Sequence, residues 1–355
     1  MAYFSVIVPC CDVAPFVDRA IESVLSQSFR DIELILSVEE SKDETREMCL
    51  AASARDDRVK VLFGPRSGSP AAPRNRGFAV ATGTYIVWLD GDDYLDDGVL
   101  EDLAATIHEK GDLDVIQGTL RKVTFNTSGA LVSEVPLSNF PPEDAGRVMT
   151  GEEAVIRMMD LTSSPFWGAP LSVCRAAFLR EKGLSFVSGI RHEDEEWAPR
   201  VFYFASRVLV VDRVFFYYRR NPRSIMSTQS AAKSILHHAK VDRLIFAFYA
   251  SHDFSPALSR AWARGVLTLF YFHFFYPWRL KGTRRSDWRA GMRLFLKGEG
   301  LKNFLALAAH ASAPKRVGAR LVAICALHPI LGWIAYVYFR FVYYPLSSRI
   351  FRRNT

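Results

Sequence analysis

Apolar and polar positions along the first hundred residues switch repeatedly between the strand period and the helix period. Residues 4–8 form a short apolar run closed by Pro9, the pattern of a buried strand. Pro15 suits the first turn of a helix, and Val17, Ile21, Val24 and Leu25 then fall on one helical face. Residues 32–38 predict a second strand. Ser41 with Glu44 has the spacing of a capping box and predicts a helix running to about Ala54. A third strand is predicted over 59–63 and a Gly-, Pro- and Ser-rich loop over 64–73. A helix over 74–81 then leads to a fourth strand over 85–89. Repeated strand–helix–strand units predict an α/β, Rossmann-type, mostly parallel sheet flanked by helices, with right-handed crossovers. The pattern loses regularity between Asp114 and Arg213, and after Ser227 long amphipathic helical patterns take over. The reading is two domains, 1–228 and 229–355, the second helical, basic and amphipathic.

Composition and charge change this picture in the second half. The chain has 355 residues, 49% hydrophobic and 13% aromatic, which excludes wholesale disorder. Its first residues lack a basic leader and read as strand rather than as a secretory signal. Five scattered cysteines form no Cys-x-x-Cys pair, which argues for a reducing compartment without a zinc or disulfide framework. The net charge of +7 conceals a polarity: from Arg213 onward there are 24 Lys and Arg against 4 Asp and Glu. Such a balance suits nucleic acid or an anionic membrane. Here the basic residues are interleaved with runs such as Val266–Trp278 and Leu321–Phe339, which favours an anionic membrane surface and no nucleic acid. The run 321–339 is 19 residues without a formal charge, flanked by Arg316, Arg320 and Arg340 and interrupted by Pro329. It can be a membrane-surface helix, a single span or a buried helix. Trp333, Tyr336, Tyr338, Tyr343 and Tyr344 favour the surface.

The candidate chemistry is concentrated where the fourth predicted strand ends. Tyr85-Ile-Val-Trp-Leu runs directly into Asp90-Gly-Asp-Asp93. Ligands bind open α/β sheets at the carboxyl ends of the strands. Several carboxylates there repel one another unless a cation neutralises them, and hard ions such as Mg²⁺ and Mn²⁺ take oxygen ligands and hold diphosphates. The alternative is an acidic turn capping the next helix, since Asp96 and Asp97 continue the charge.

The order of the segments resembles the family 2 inverting glycosyltransferases. The resemblance rests on Ser5-Val-Ile-Val-Pro9, on the strand ending in Val38-Glu39-Glu40-Ser41, on Pro73-Arg74-Asn75-Arg76-Gly77, and on Thr82-Gly83-Thr84-Tyr85-Ile86 leading to Asp93. Further on come Phe166-Trp167-Gly168, His192-Glu193-Asp194 and the segment Tyr217–Met226. It spans about residues 3–228 and implies a GT-A nucleotide-sugar-binding fold. It implies Asp194 as the general base, with Asp92 and Asp90 holding the metal. It also implies Pro9, Asp12, Glu39, Arg74, Asp90, Gly91, Trp167, Glu193, Arg219 and Ser224 around the nucleotide sugar. Glu193, Glu195 and Glu196 crowd Asp194, and like charges raise a carboxyl pKa; an acidic helix N-terminus is the plainer reading of the same residues. His192 can be a ligand, but reads first as a surface or capping residue. Two departures fall at the nucleobase end. Cys11-Asp12 stands where members often have Tyr-Asn, and Val38-Glu39 stands where they have Asp-Asp, so Glu39 replaces the second acid.

These implications make the expected protein an enzyme of cell-surface polysaccharide or glycolipid synthesis, working at the cytoplasmic face of the membrane. It would use a nucleotide-diphosphate sugar, Mg²⁺ or Mn²⁺, and a glycan or lipid-linked acceptor. The competing readings are a GT-A-like membrane scaffold without activity and a sugar-phosphate nucleotidyltransferase. The second would need a Gly-rich basic loop where this chain has Pro9-Cys-Cys-Asp-Val-Ala-Pro15.

Overall fold

A computed structural model describes residues 2–126, 128–162, 165–221, 231–263, 265 and 285–310. By their contacts the residues fall into two compact units, Met1–Leu161 with Phe166–Ser227, and Thr162–Pro165 with Thr228–Thr355.

The first unit is built on one mixed sheet. Its opening strands are β1 (Phe4–Cys10), β2 (Ile32–Glu39), β3 (Val59–Gly64) and β4 (Tyr85–Trp88), in the order β3-β2-β1-β4 and all parallel. Helices α1 (Ala14–Leu25), α2 (Thr45–Arg55) and α3 (Ala71–Val80) make the crossovers. Every residue of β2 and β4 is buried, as expected for strands covered on both faces. Helix α3 lies tight on the sheet at Gly77, where a Cβ would stand 2.5 Å from Ile7 Cγ2.

Beyond β4 the sheet departs from the simple parallel pattern. Strand β5 (Tyr94–Leu95) and helix α4 (Val99–Lys110) precede β6 (Val115–Phe125), which pairs with β7 (Leu131–Leu137) in a hairpin. The sheet continues β4-β9-β6-β10-β5, with β9 (Ser172–Arg175) antiparallel to both neighbours and β10 (Val208–Arg219) parallel to β6. Two-residue β8 (Val148–Met149) pairs antiparallel with β10. Between these lie helices α5 (Gly151–Leu161), α6 (Ala176–Glu181) and α7 (Glu193–Phe204).

Two helix starts differ from the sequence expectation. Helix α2 opens at Thr45, and Asp43 Oδ1 accepts from the Thr45 N–H and hydroxyl. Ser41 Oγ instead accepts the N–H of Asp12, so the expected capping box becomes a tie between two loops. Helix α3 starts at Ala71, three residues early, which puts Arg74 in its first turn.

In the second unit, helices Ala231–Ser251, Arg285–Leu296 and Gly300–Ala308 are joined by Phe246, Phe295 and Phe304. Their rings meet edge to face with centroids 5.4–5.6 Å apart. Among the described residues no helix is long and apolar enough to cross a membrane. Residues 321–339 lie outside the described residues.

Candidate active site

The sheet delivers the acids where β4 ends. The Leu89 N–H bonds to Ile7 O, keeping the chain against β1 for one residue past the strand, and Asp93 N–H then closes a turn on Asp90 O at 3.0 Å. Gly91 sits inside that turn. A Cβ there would lie 3.0 Å from Pro9 O and 3.1 Å from Val13 Cγ2, so the close approach to the end of β1 favours glycine.

Arg74 organises the centre. It is 2% exposed, and its guanidinium donates from Nη2 to Asp90 Oδ1 at 2.6 Å and from Nη1 to Glu193 Oε1 at 2.7 Å. Burial disfavours its charge, but Asp90, Glu193 and Asp194 around it more than offset this, and its pKa rises. Arg74, expected around the nucleotide sugar, is a strut between the Asp90 loop and the start of α7. Asn75 beside it exchanges two hydrogen bonds with the Phe186 backbone, at 2.8 and 2.9 Å. Phe186 stacks on Trp197 with centroids 4.5 Å apart, and Trp88 meets both rings edge-on, which gives α7 a rigid aromatic footing.

Helix α7 begins abruptly. Its N-cap, His192, has φ 59°, and with Asp12 (φ 52°) it is one of two positive-φ residues other than glycine among the described residues. Both lie at the site the sequence singles out, where such backbone strain concentrates. Asp194 is half-buried, and its Oδ1 accepts the Glu195 N–H at 3.0 Å. Its pKa is raised, first by burial; Arg74 opposes the rise and Asp90 adds to it. Of the three acids expected to crowd it, Glu193 is the one whose pKa feels the like charge of Asp194. Glu196 is engaged by Arg200 at 2.7 Å, and Glu195 lies 3.8 Å from His192 Nδ1. Glu193 is pushed up as well, by burial against the pull of Arg74.

Asp93 is held from the end of β10 and Asp92 from Asn221 just beyond it. Asp93 is 1% exposed, its Oδ1 accepts the Arg219 N–H at 2.8 Å, and its Oδ2 has no hydrogen-bond partner among the described residues. Asn221, 6% exposed, donates from Nδ2 to Asp92 Oδ2 at 3.0 Å. Burial raises the pKa of both acids, and Asp90 raises it further. The carboxylate oxygens of Asp90 and Asp92, with the buried Asp93 Oδ2 that has no hydrogen-bond partner among the described residues, have the chemistry that a hard divalent cation takes.

The remaining expected residues divide. Glu39 is buried at the end of β2, with Oε2 accepting the Ser67 N–H at 3.1 Å and Oε1 without a hydrogen-bond partner among the described residues. Asp12 binds the Lys42 N–H at 2.7 Å and Arg66 Nη2 at 2.5 Å, chiefly the latter holding its pKa below the ordinary value. It laces three loops together. Trp167, expected around the nucleotide sugar, lies in the core. It is buried with its ring edge-on to Phe202, leaving little face for a sugar. Arg219 lays its guanidinium over Phe16, Tyr94 and Phe125 at 5.1–5.5 Å and donates its backbone N–H to Asp93, and its charge opposes the rise in the pKa of Asp92 and Asp93. Ser224 lies outside the described residues. Sequence reasoning passed over Asn75 and Asn221, although both stand inside the segments it singled out.

Residues 5–180 match the sequence model of the family described as Glycosyl transferase family 2. A relative from Bacillus subtilis described as the uncharacterized glycosyltransferase EpsJ is 29% identical over 255 residues, 71% of each chain. Glycosyltransferase GlyG of Streptococcus pneumoniae is 29% identical over 63% of this chain and 73% of its own. The fold is that of Staphylococcus aureus TarS 1-349, solved in complex with UDP-GlcNAc. The TM-score is 0.67 at 23% identity, covering 91% of this chain and 90% of that one.

Proposed function

We propose that the chain, whose residues 5–180 match the model of glycosyl transferase family 2, is a glycosyltransferase that moves a sugar from a nucleotide-diphosphate donor to a hydroxyl of a glycan or lipid-linked acceptor, inverting the anomeric centre. The observation that carries this reading is Arg74, which ties Asp90 to the turn bearing Asp194 and so unites donor acid and candidate base in one buried network. In the reaction the acceptor oxygen bonds to the anomeric carbon as the bond from that carbon to the diphosphate oxygen breaks. The nucleoside diphosphate leaves with the electron pair. An Asp194 carboxylate oxygen takes the hydroxyl proton, and its raised pKa makes it a stronger base than an ordinary carboxylate. Asp92 and Asp90 would hold a Mg²⁺ or Mn²⁺ ion, which would supply charge neutralisation for the departing diphosphate. Glu39 offers its second oxygen to an N–H of the nucleobase. TarS binds UDP and UDP-GlcNAc in its solved complexes, which makes UDP-sugars the first donors to try. The basic aromatic-rich second half suits attachment to an anionic leaflet.

The test is a panel of UDP-, GDP- and dTDP-sugars, with Mn²⁺ or with chelator, read by release of nucleoside diphosphate and by NMR of the anomeric product. At least one donor should be consumed with inversion in the presence of metal and spared with chelator. If none binds or turns over with either ion, the chain is a scaffold and this reading is wrong.

A further inference from the structure

We propose that Asn221 is a positioning residue for the metal-binding carboxylate, through the hydrogen bond from its Nδ2 to Asp92 Oδ2. The inference rests on the reading of Asp92 as a metal ligand, and it adds a residue that the sequence motif does not single out.

The end of β10 and the two residues after it reach the acids twice. The Arg219 N–H takes Asp93 Oδ1, and Asn221 takes Asp92 Oδ2. The same strand pairs with β5 directly after the acids, Tyr217 opposite Tyr94 and Phe216 opposite Leu95. The paired tyrosine rings stack with centroids 4.8 Å apart and 11° between planes. The acidic turn is therefore braced along its C-terminal side by β10 and the residues that follow it, and Asn221 is the side-chain end of that brace.

The chemistry of an amide suits this place. A carboxylate ligand with two free rotamers loses conformational freedom when it binds a cation. A buried donor on one oxygen removes that cost beforehand and orients the other oxygen. A lysine or arginine at the same point would hold Asp92 as firmly, but its positive charge would compete with the cation for the carboxylate. An aspartate would add a like charge to a crowded cluster. A neutral donor orients Asp92 without either effect. Asn221 is buried at 6% exposure, so the bond is shielded from water.

Mn²⁺ binding to the full 355-residue chain, followed by electron paramagnetic resonance of free Mn²⁺ with UDP present, tests the inference. Asn221→Leu keeps the side-chain size and removes the donor. It should weaken Mn²⁺ binding by about 10-fold or more, the scale seen when partners of metal ligands are removed. Its melting temperature in chelator and its metal-free affinity for UDP should stay near wild type, and excess Mn²⁺ should restore turnover. Wild-type Mn²⁺ affinity in Asn221→Leu overturns the proposal. Should that variant fail to fold, Asn221→Ser, whose hydroxyl is too short to make the bond, reads the same quantity. Asp92→Asn in the same titration separates the two claims. If it too binds Mn²⁺ as wild type, the metal reading itself falls. If Asp92→Asn loses Mn²⁺ while Asn221→Leu does not, only the role of Asn221 falls.

Discussion

Arg74 sits among three carboxylates, and each feels its charge. Removing that charge disfavours the ionised forms of Glu193 and Asp194, so their pKa values move further up. Asp194 must be ionised to accept a proton, so activity should fall on the acid side at a pH above the ordinary carboxylate range. Arg74→Met should move that acid limb to higher pH and destabilise the fold by about 3–5 kcal/mol, the cost of orphaning a buried ionic partner. Arg74→Lys should recover little, because a single ammonium does not reproduce two diverging N–H donors. Unchanged pH–rate profiles and urea midpoints in both variants would show that Arg74 is not the strut described. The sequence points to Arg74 as functional but not to its partner. The carboxylates it binds stand 16 and 119 positions away, and no local pattern encodes such a pairing. Asn221 was hidden for the same reason: its hydrogen bond spans 129 positions.

At the scale of elements, the strands that were legible are those whose own residues form an apolar run. Strands β1 to β4 read directly from apolar runs bounded by Pro and Gly. Strand β9 did not, being four residues long and antiparallel to partners that lie far back in the chain. Its insertion turns the parallel half of the sheet into a mixed one. A buried carboxylate secures the parallel half. Burial works to raise the pKa of Glu33 in β2, but hydrogen bonds from Lys60, Ser5 and Thr82 win and bring it down to about 2. A carboxyl lowered on folding contributes stability that is complete above its unfolded value near 4.5 and lost as pH falls through about 2. Urea melts of wild type should therefore show a loss between those pH values that Glu33→Gln lacks in part. Glu33→Gln should be the weaker protein at pH 7, and equal pH dependence of the two would remove Glu33 from the acid-sensitive set.

At the scale of the whole molecule, the chain joins an acidic catalytic half to a basic half. The first 212 residues hold 21 Lys and Arg against 34 Asp and Glu, the reverse of the remainder. Each Lys or Arg near an anionic leaflet contributes about 1 kcal/mol, and this attraction is screened by salt. The chain should sediment with anionic vesicles, less at high salt and little with neutral lipid, and a chain ending at residue 313 should bind less. Equal sedimentation of both chains would exclude residues 314–355 from the contact. The account as a whole turns on Asp194 as the base of a transfer reaction. Its most direct test is single-turnover transfer by Asp194→Asn with a donor that the wild type consumes. Donor affinity should stay near wild type while the chemical step slows by about 100-fold or more. A variant that transfers sugar at the wild-type rate, or one that loses donor binding while bound donor still reacts normally, would contradict it.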